Sequence, residues 1–240
     1  MIQNSAINGL RVAVTGGTSG LGLALVRQLT QDGARVAFVA RSAGDVEQVT
    51  TETGAIGIVG DVSRKHDIYP TALQITGNLG GLDVLINNAS SLGPTPLVPL
   101  ADTDCEDLEE ALAVNVVGPF RLTKALLGAL AAAAREGRGG TVVNISSDAA
   151  VNAYPGWGAY GASKAALRHM TAIWDEEVSD AGIRFLSVDP GDMDTPLHAL
   201  ADPDADPSTL KRPADSAAEV IEAFLAVRPI NDAIEQAVSA

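Results

Sequence analysis

The chain has 240 residues, of which 46% are hydrophobic, and its 30 acidic residues against 16 basic ones give a net charge of −14. A charge of this sign repels nucleic-acid phosphates and anionic membranes, which argues against both as partners. No apolar run reaches the ~18–20 residues of a membrane span, the first residues lack the pattern of a signal peptide, and the single cysteine, Cys105, gives no disulfide framework. A cytoplasmic location is therefore expected.

Apolar strand-like segments alternate with helical patterns along the whole chain. The predicted strands are 10–14, 34–40, 55–60, 82–87, 140–145 and 183–188. The predicted helices are 21–29, 43–53, one capped by Ser63 and ending at Gly77, 103–134 with a break near Gly118-Pro119, 158–181 and 213–227. Continuous apolar strands interleaved with helices predict an α/β fold, a doubly wound parallel sheet covered on both faces, in one domain spanning 1–240.

The first predicted strand and helix are joined by a glycine-rich turn at 15–22, with the pattern T-G-x-x-x-G-x-G. Gly16 would allow a tight turn, Gly20 would let the backbone approach a pyrophosphate, and Gly22 would let the helix pack close to the strand. A phosphate binds well at such a helix N-terminus. Taken alone, the pattern also fits a structural turn.

Polar residues follow the later strands, where ligands bind in sheets of this kind. They are Asp61 with Val62, Asn87 to Ser90, Ser146 with Ser147, and Asp189 to Gly191. By contrast, the three histidines (His66, His169 and His198) have no ligand-like spacing, so no metal site is expected.

Tyr160 and Lys164 are four residues apart, which puts both side chains on one helix face. A phenol with its ordinary pKa near 10 is a poor acid–base at neutral pH. A neighbouring ammonium lowers that pKa, and proton exchange with an alcohol or carbonyl oxygen becomes feasible. Ser147 would hydrogen-bond the same oxygen. For the pair alone, an ordinary contact on the helix surface is the favoured interpretation.

Together these motifs resemble the short-chain dehydrogenase/reductase family, in order and spacing from about 10 to 195. The matching elements are the glycine motif, Asn87-Asn88-Ala89, Asn115, Ser147, Tyr160 with Lys164, and Pro190-Gly191. The resemblance implies a Rossmann-type, three-layer fold and hydride transfer between NAD(P)(H) and a ketone, aldehyde or alcohol.

The resemblance also implies roles for single residues. Tyr160 would be the acid–base, Lys164 would lower its pKa and hold the nicotinamide ribose, and Ser147, with Ser146 as a rival, would orient the substrate oxygen. Asn115 would bind a water that links Lys164 to solvent, or would only kink a helix. The predicted cofactor-binding residues are Gly16, Thr18, Ser19, Gly20, Leu21, Gly22, Arg41, Ser42, Asp61, Val62, Asn88, Ala89, Ser90, Tyr160, Lys164, Pro190, Gly191, Met193 and Thr195.

The end of the second strand predicts which nicotinamide cofactor binds. An NAD enzyme carries an acid there, which accepts from the ribose 2′-OH. This chain has Ala40, Arg41 and Ser42 instead. A guanidinium suits a 2′-phosphate, so NADP(H) is predicted over NAD(H). Alternatively, Arg41 stacks on adenine without selecting between the two cofactors. The other basic residue that the family uses, just before the second glycine of the motif, is missing, because Ser19 occupies that position.

The chain departs from the family pattern in two places. Ser90 stands where the family commonly has glycine, and would narrow the approach to the nicotinamide or add a hydrogen bond. The C-terminal residues 228–240 lack the signal of a seventh strand, which predicts a six-stranded sheet with a shortened C-terminus. A homodimer through the long helices 103–134 and 158–181 is the expected assembly.

The segment 192–207 is predicted to be a mobile, acidic loop on the substrate side, which favours a small or polar substrate over a steroid-sized one. Asp192 is a candidate to meet a donor or cation on the substrate. Candidate pocket walls are Leu92, Asp148, Tyr154, Trp157 and Met193. The predicted function is an NADP(H)-dependent oxidoreductase. The alternatives are a dinucleotide sensor without turnover and a sugar-nucleotide epimerase or dehydratase, for which too little chain follows Thr195.

Overall fold

The computed structural model describes residues 6–228, in which six strands form one sheet in the order β3-β2-β1-β4-β5-β6, with every neighbouring pair parallel. The strands are β1 (Arg11–Thr15), β2 (Arg35–Ala40), β3 (Ile56–Val59), β4 (Val84–Asn87), β5 (Gly140–Ile145) and β6 (Ile183–Val188). The strand order reverses between β1 and β4, and a crevice for ligands opens at such a switch point. The predicted fold class is confirmed.

Helices cover both faces of this sheet. They are α1 (Gly20–Gln31), α2 (Ala43–Thr53), α3 (Lys65–Leu79), α4 (Cys105–Leu112), α5 (Gly118–Arg135), α6 (Gly158–Val178), α7 (Pro196–Ala201) and α8 (Pro213–Val227). Since successive strand residues point to opposite faces, Val12 and Val14 belong to the core beneath α1 and α8, while Ala13 belongs to the core beneath α3 and α5.

The structure differs from the prediction in two helices, and the first of them, α3, also ends at Leu79 rather than at Gly77. Helix α3 begins at Lys65 rather than after Ser63, because the Ser63 amide and hydroxyl both donate to Asp61 Oδ1, at 2.9 and 2.7 Å, and so close a turn there. Near the predicted break at Gly118-Pro119 the backbone stays helical (Gly118 φ −60°, ψ −59°), but its hydrogen-bond pattern changes from π-helical to α-helical at Gly118. Pro119, which has no N–H to donate, is tolerated in the first turn of the α-helical segment that begins there.

One π-helical turn, Ala113–Val117, joins α4 to α5. The resulting stretch, Cys105–Arg135, spans 31 residues and is long and apolar enough, by length and composition, to cross a membrane. In this fold Leu122, Leu126 and Leu130 are buried in the core beside the sheet. That placement is the one a core helix takes.

The C-terminal prediction is tested only in part. The sheet has six strands within residues 6–228. Residues 229–240, on which the predicted loss of a seventh strand depends, lie outside the described residues.

Candidate active site

The glycine-rich turn lies between the end of β1 and the start of α1. Gly16 (φ +69°) and Gly20 (φ +50°) adopt left-handed conformations that favour glycine. A Cβ atom on Gly22 would lie 2.0 Å from the Gly16 carbonyl oxygen, so only glycine fits there. The structure therefore requires glycine at the three positions that the sequence analysis singled out.

The residues that follow β4 hold this turn in place. Asn88 Nδ2 donates to the carbonyl oxygens of Thr15 (2.8 Å) and Gly16 (3.2 Å). The amides of Asn88 and Ala89 each donate to Thr15 Oγ1, both at 3.0 Å. Asn88 and Ala89 thus hold the glycine turn in place through hydrogen bonds to Thr15 and Gly16. The sequence analysis did not foresee this positioning role.

The N-terminus of α1 fits an anionic group. Its N-cap, Ser19, makes no side-chain hydrogen bond to the helix, and the first turn carries no acidic residue. Ser19, Gly20 and Leu21 line the large cavity at this edge of the sheet. Open N–H groups and the positive end of a helix dipole favour a pyrophosphate at this place. The residues present therefore fit the dinucleotide that the glycine pattern implies.

This cavity has a volume of about 1480 Å³ and runs along the carboxyl ends of the strands. Every residue predicted to bind the cofactor lines it, and so do Ser147 and all the candidate pocket walls. Asn115 is the one predicted site residue that does not line it.

Tyr160 and Lys164 project from one face of α6, and only 8% and 2% of their surfaces are exposed. Lys164 Nζ lies 5.4 Å from the Tyr160 ring centroid and donates to the Ile145 carbonyl oxygen at 2.8 Å. The Ser147 hydroxyl donates to Asp148 Oδ1 and accepts from the Ala149 amide, both at 3.2 Å, and Ser147 and Ser90 both act to lower the pKa of the Tyr160 phenol. The Ser146 hydroxyl is buried without a partner among the described residues. Of the two candidate serines, Ser147 is the one that acts on the pKa of Tyr160.

The expected lowering of the Tyr160 pKa is not what the structure shows. Burial raises the pKa of Tyr160 to about 12, the hydrogen bond from Ser147 opposes this rise, and the charge of Asp189 adds to it. Burial also lowers the pKa of Lys164 to about 8, with Asp189 acting in the opposite direction. Removal from water disfavours the charged form of both groups, and this effect outweighs their proximity.

Asn115 lies in the π-helical turn, and only 1% of its surface is exposed. Its Nδ2 donates to the Ser91 carbonyl oxygen (2.7 Å) and to Ser163 Oγ (2.8 Å). Its Oδ1 accepts from Ser90 Oγ (3.1 Å) and from the Ser91 amide (2.9 Å). Asn115 thus ties α6 to the residues after β4, while the water that would link it to Lys164 stays a prediction.

An arginine that directly follows β2, Arg41, also lines the cavity. Arg41 is exposed, and within residues 6–228 no carboxylate pairs with it. It also lines an adjoining cavity of about 490 Å³, together with Asp61 and Arg64. Sequence analysis missed Arg64. Its position three residues after Asp61 was the available signal. In the structure, Arg64 Nε lies 3.5 Å from Asp61 Oδ2.

On the substrate side, the segment 192–207 contains more regular secondary structure than the predicted loop. It contains α7, whose N-terminus is capped by Thr195 Oγ1, which accepts from the His198 amide at 3.2 Å. Met193 pairs with Lys211 through a β-bridge. Tyr154 and Asp148 also line the cavity, and the Tyr154 hydroxyl donates to Asp148 Oδ2 at 2.6 Å. The described part of the chain brings together no group of three or more His, Cys, Asp or Glu side chains suited to a metal.

Comparisons with known proteins agree with this geometry. A family model described as short chain dehydrogenase matches residues 11–206. An uncharacterized oxidoreductase of Mycobacterium tuberculosis is 32% identical over 202 residues, which are 81% of this chain and 58% of that protein. The chain therefore spans little more than half the length of this relative.

Solved structures are similar over nearly the whole chain. The 3-ketoacyl-(acyl-carrier-protein) reductase from Brucella melitensis, complexed with NADH, is 27% identical with a TM-score of 0.84 over 91% of each chain. A short chain dehydrogenase from Escherichia coli, complexed with NADPH, is 28% identical with a TM-score of 0.83 over 92% of each chain.

Proposed function

The chain belongs to the short-chain dehydrogenase/reductase family, and on that premise we propose that it is an NADP(H)-dependent oxidoreductase interconverting a ketone or aldehyde and the corresponding alcohol. The observation that carries this proposal is the placement of Tyr160, Ser147 and Lys164 in the cavity that the glycine turn also lines. A sensor that only binds a dinucleotide has no use for such an acid–base set.

The cofactor, when bound, supplies or accepts the hydride. In the direction of reduction, Tyr160 gives its proton to the substrate oxygen, and Ser147 donates a hydrogen bond to the same atom as negative charge develops there. With a pKa of about 12, the phenol stays protonated at neutral pH and suits this role. In the direction of oxidation it must lose that proton, and the buried cation of Lys164 is the group that favours the phenolate.

Arg41 supports NADP(H) as the cofactor. It stands at the end of β2 without a carboxylate partner among the described residues, and the buried Ala40 replaces the acid that would repel a 2′-phosphate. Among similar solved structures, three hold NADP or NADPH and one holds NADH, so both the arginine and these relatives favour NADP(H).

The substrate is a small or polar molecule, because acidic side chains line the substrate side of the cavity. They are Asp102, Asp104, Asp107, Glu110, Asp148, Asp192 and Asp202. Asp192 is the candidate contact for a donor or cation on the substrate. We also propose that the protein is cytoplasmic, that it acts as a single domain, and that it forms a homodimer through the helical stretch Cys105–Arg135 and through α6.

The test is consumption of NADPH and of NADH in the presence of a panel of small ketones and aldehydes. The proposal predicts turnover with at least one polar carbonyl compound and a preference for NADPH. Binding of NADPH without turnover of any compound in either direction would favour the sensor. Turnover with a preference for NADH would overturn the cofactor assignment alone.

A further inference from the structure

The hydroxyl of Ser163 lies between Asn115 and the turn of α6 that carries Tyr160 and Lys164. We propose that Ser163 is a positioning residue, which holds the backbone of Tyr160 at a fixed place relative to the glycine turn. This assignment rests on the proposed function. Ser163 is fully buried (0% exposed) and, unlike Tyr160 and Lys164, does not line the cavity. The competing explanation is an ordinary helical serine, whose hydroxyl serves only its own helix.

The hydrogen bonds of Ser163 have one possible direction. Its Oγ atom lies 2.7 Å from the Tyr160 carbonyl oxygen and 2.8 Å from Asn115 Nδ2. A carbonyl oxygen only accepts, so the single proton of Ser163 goes to Tyr160 and the Asn115 amide is the donor in the second bond. The link therefore needs a side chain that donates and accepts at once, which a hydroxyl does and a methyl group does not.

Asn115 is itself held by the segment that follows β4. It donates to the Ser91 carbonyl oxygen at 2.7 Å and accepts from the Ser91 amide at 2.9 Å. Residues 88–89 of the same segment hold the glycine turn through the hydrogen bonds described above. Removal of the Ser163 hydroxyl therefore leaves Asn115 and the glycine turn in place and cuts only their connection to α6.

The turn that carries Tyr160 thus has two side-chain anchors. Ser163 ties it through Asn115 to the segment after β4, and Lys164 Nζ ties it to β5 through the Ile145 carbonyl oxygen at 2.8 Å. One anchor leaves a helix free to pivot, whereas two fix the direction in which the Tyr160 side chain projects. This direction matters because a general acid works only within hydrogen-bond reach, and a misplacement of about 1 Å costs roughly 100-fold in rate.

A matched control lies about two turns further along α6. Thr171 Oγ1 donates to the Leu167 carbonyl oxygen at 2.7 Å and accepts from Asn144 Nδ2 at 2.8 Å, and only 3% of Thr171 is exposed. Its hydroxyl is bonded in the same way as that of Ser163, but it lies outside the turn that carries Tyr160. The two residues therefore separate a contribution to stability from the positioning of Tyr160.

The experiment compares Ser163→Ala with Thr171→Val, each of which removes one buried hydroxyl. Both variants should unfold at a lower urea concentration than the wild type, because each leaves a buried amide without an acceptor. Only Ser163→Ala should lower kcat for the best carbonyl substrate, by about 10-fold, with an unchanged dissociation constant for NADPH, because misplacement slows the reaction without weakening binding. Equal changes of kcat in the two variants, or no change in either, would overturn the proposal.

A second measurement needs no turnover and so keeps this proposal separate from the proposed function. The chain has 3 tyrosines, which are labelled with ¹³C at the ζ carbon, and Tyr160→Phe assigns the resonance of Tyr160. Ser163→Ala should shift or broaden this resonance, because the ring no longer keeps one position, whereas Thr171→Val should leave it unchanged.

An unchanged Tyr160 resonance in Ser163→Ala would contradict the positioning role, even in an active enzyme. If no carbonyl compound is turned over, the resonance decides alone. A change confined to Ser163→Ala would then support the positioning of Tyr160 and overturn only the proposed function.

Discussion

The two ends of the parallel sheet differ in the hydrogen-bond partners that they give to a buried charge. At the amino ends of the strands, Asp83 precedes β4 with a fully buried side chain and receives hydrogen bonds from Arg11 and Arg138, the shortest of each being 2.7 Å. At the carboxyl ends, Lys164 is also buried, and among residues 6–228 its ammonium has only the Ile145 carbonyl oxygen as a hydrogen-bond partner, at 2.8 Å.

The pKa values follow from this difference. Burial alone would raise the pKa of Asp83, but the hydrogen bonds from Arg138 and Arg11 bring it below its ordinary value. Burial lowers the pKa of Lys164 to about 8, and the charge of Asp189 opposes this only in part. At the amino ends the buried charge holds loops together, and at the carboxyl ends we propose that a buried charge is kept for catalysis at some cost in stability.

The largest effect is expected at the amino ends. Asp83→Asn removes a buried carboxylate that two arginines share and should lower the free energy of unfolding by about 3–5 kcal/mol, measured by urea denaturation. The contribution of Asp83 is present above the ordinary pKa of 3.8 and is lost as pH falls below it, because its folded-state pKa is lower. Glu52→Gln, which breaks an exposed pair with Arg27, is the control and should change little. Equal effects of the two variants would show that burial gives the ion pairs of Asp83 no greater weight than an exposed pair.

Lys164→Met should have the opposite sign. A pKa of about 8 against the ordinary 10.5 means that burying the charged amine costs roughly 3 kcal/mol, and methionine avoids that cost. The variant is therefore expected to unfold at higher urea concentration at pH 7 while losing turnover.

The pH dependence sharpens this prediction for Lys164. Between pH 8 and 10.5 the unfolded wild type binds more protons than the folded form, so wild-type stability rises with pH across that window. The Lys164→Met variant lacks this rise, and the two proteins converge towards pH 10.5. A variant less stable than the wild type at pH 7 would show that Lys164 is a structural residue.

A smaller effect is expected from substitutions at the two ends of β2, measured as a change in cofactor preference. Arg41→Asp, at the carboxyl end, should reverse or abolish the preference for NADPH over NADH, by about 10- to 100-fold in the ratio of dissociation constants, because a carboxylate repels the 2′-phosphate. Arg35→Asp, at the amino end of the same strand, should leave that ratio unchanged. A preference unaffected by Arg41→Asp would mean that this arginine only stacks on the adenine.

Local sequence features predicted much of the fold and the site. The bounds of β5, β6, α2 and α8 agree with the predicted segments, because apolar runs and helix-stop residues are local signals. The glycine turn and the Tyr160–Lys164 pair were likewise visible, since one lies within a single turn and the other within one helical turn.

What the sequence did not reveal depends on contacts between distant residues. Asp83 meets Arg11 across 72 positions, and Asn115 meets Ser90 across 25. The direction of the Tyr160 pKa was predicted wrongly for the same reason, because burial by the assembled cavity outweighs a neighbour on the same helix. The π-helical turn that carries Asn115 has no simple sequence signal either.

The most direct test of the acid–base site is the Tyr160→Phe variant, compared with Tyr69→Phe on the exposed face of α3. Both variants lose one phenolic hydroxyl. The account predicts that Tyr160→Phe binds NADPH with unchanged affinity while turnover of the best carbonyl substrate falls at least about 100-fold, as expected for loss of a general acid. Tyr69→Phe should match the wild type in both measurements. Turnover within a few-fold of the wild type in Tyr160→Phe would contradict the account.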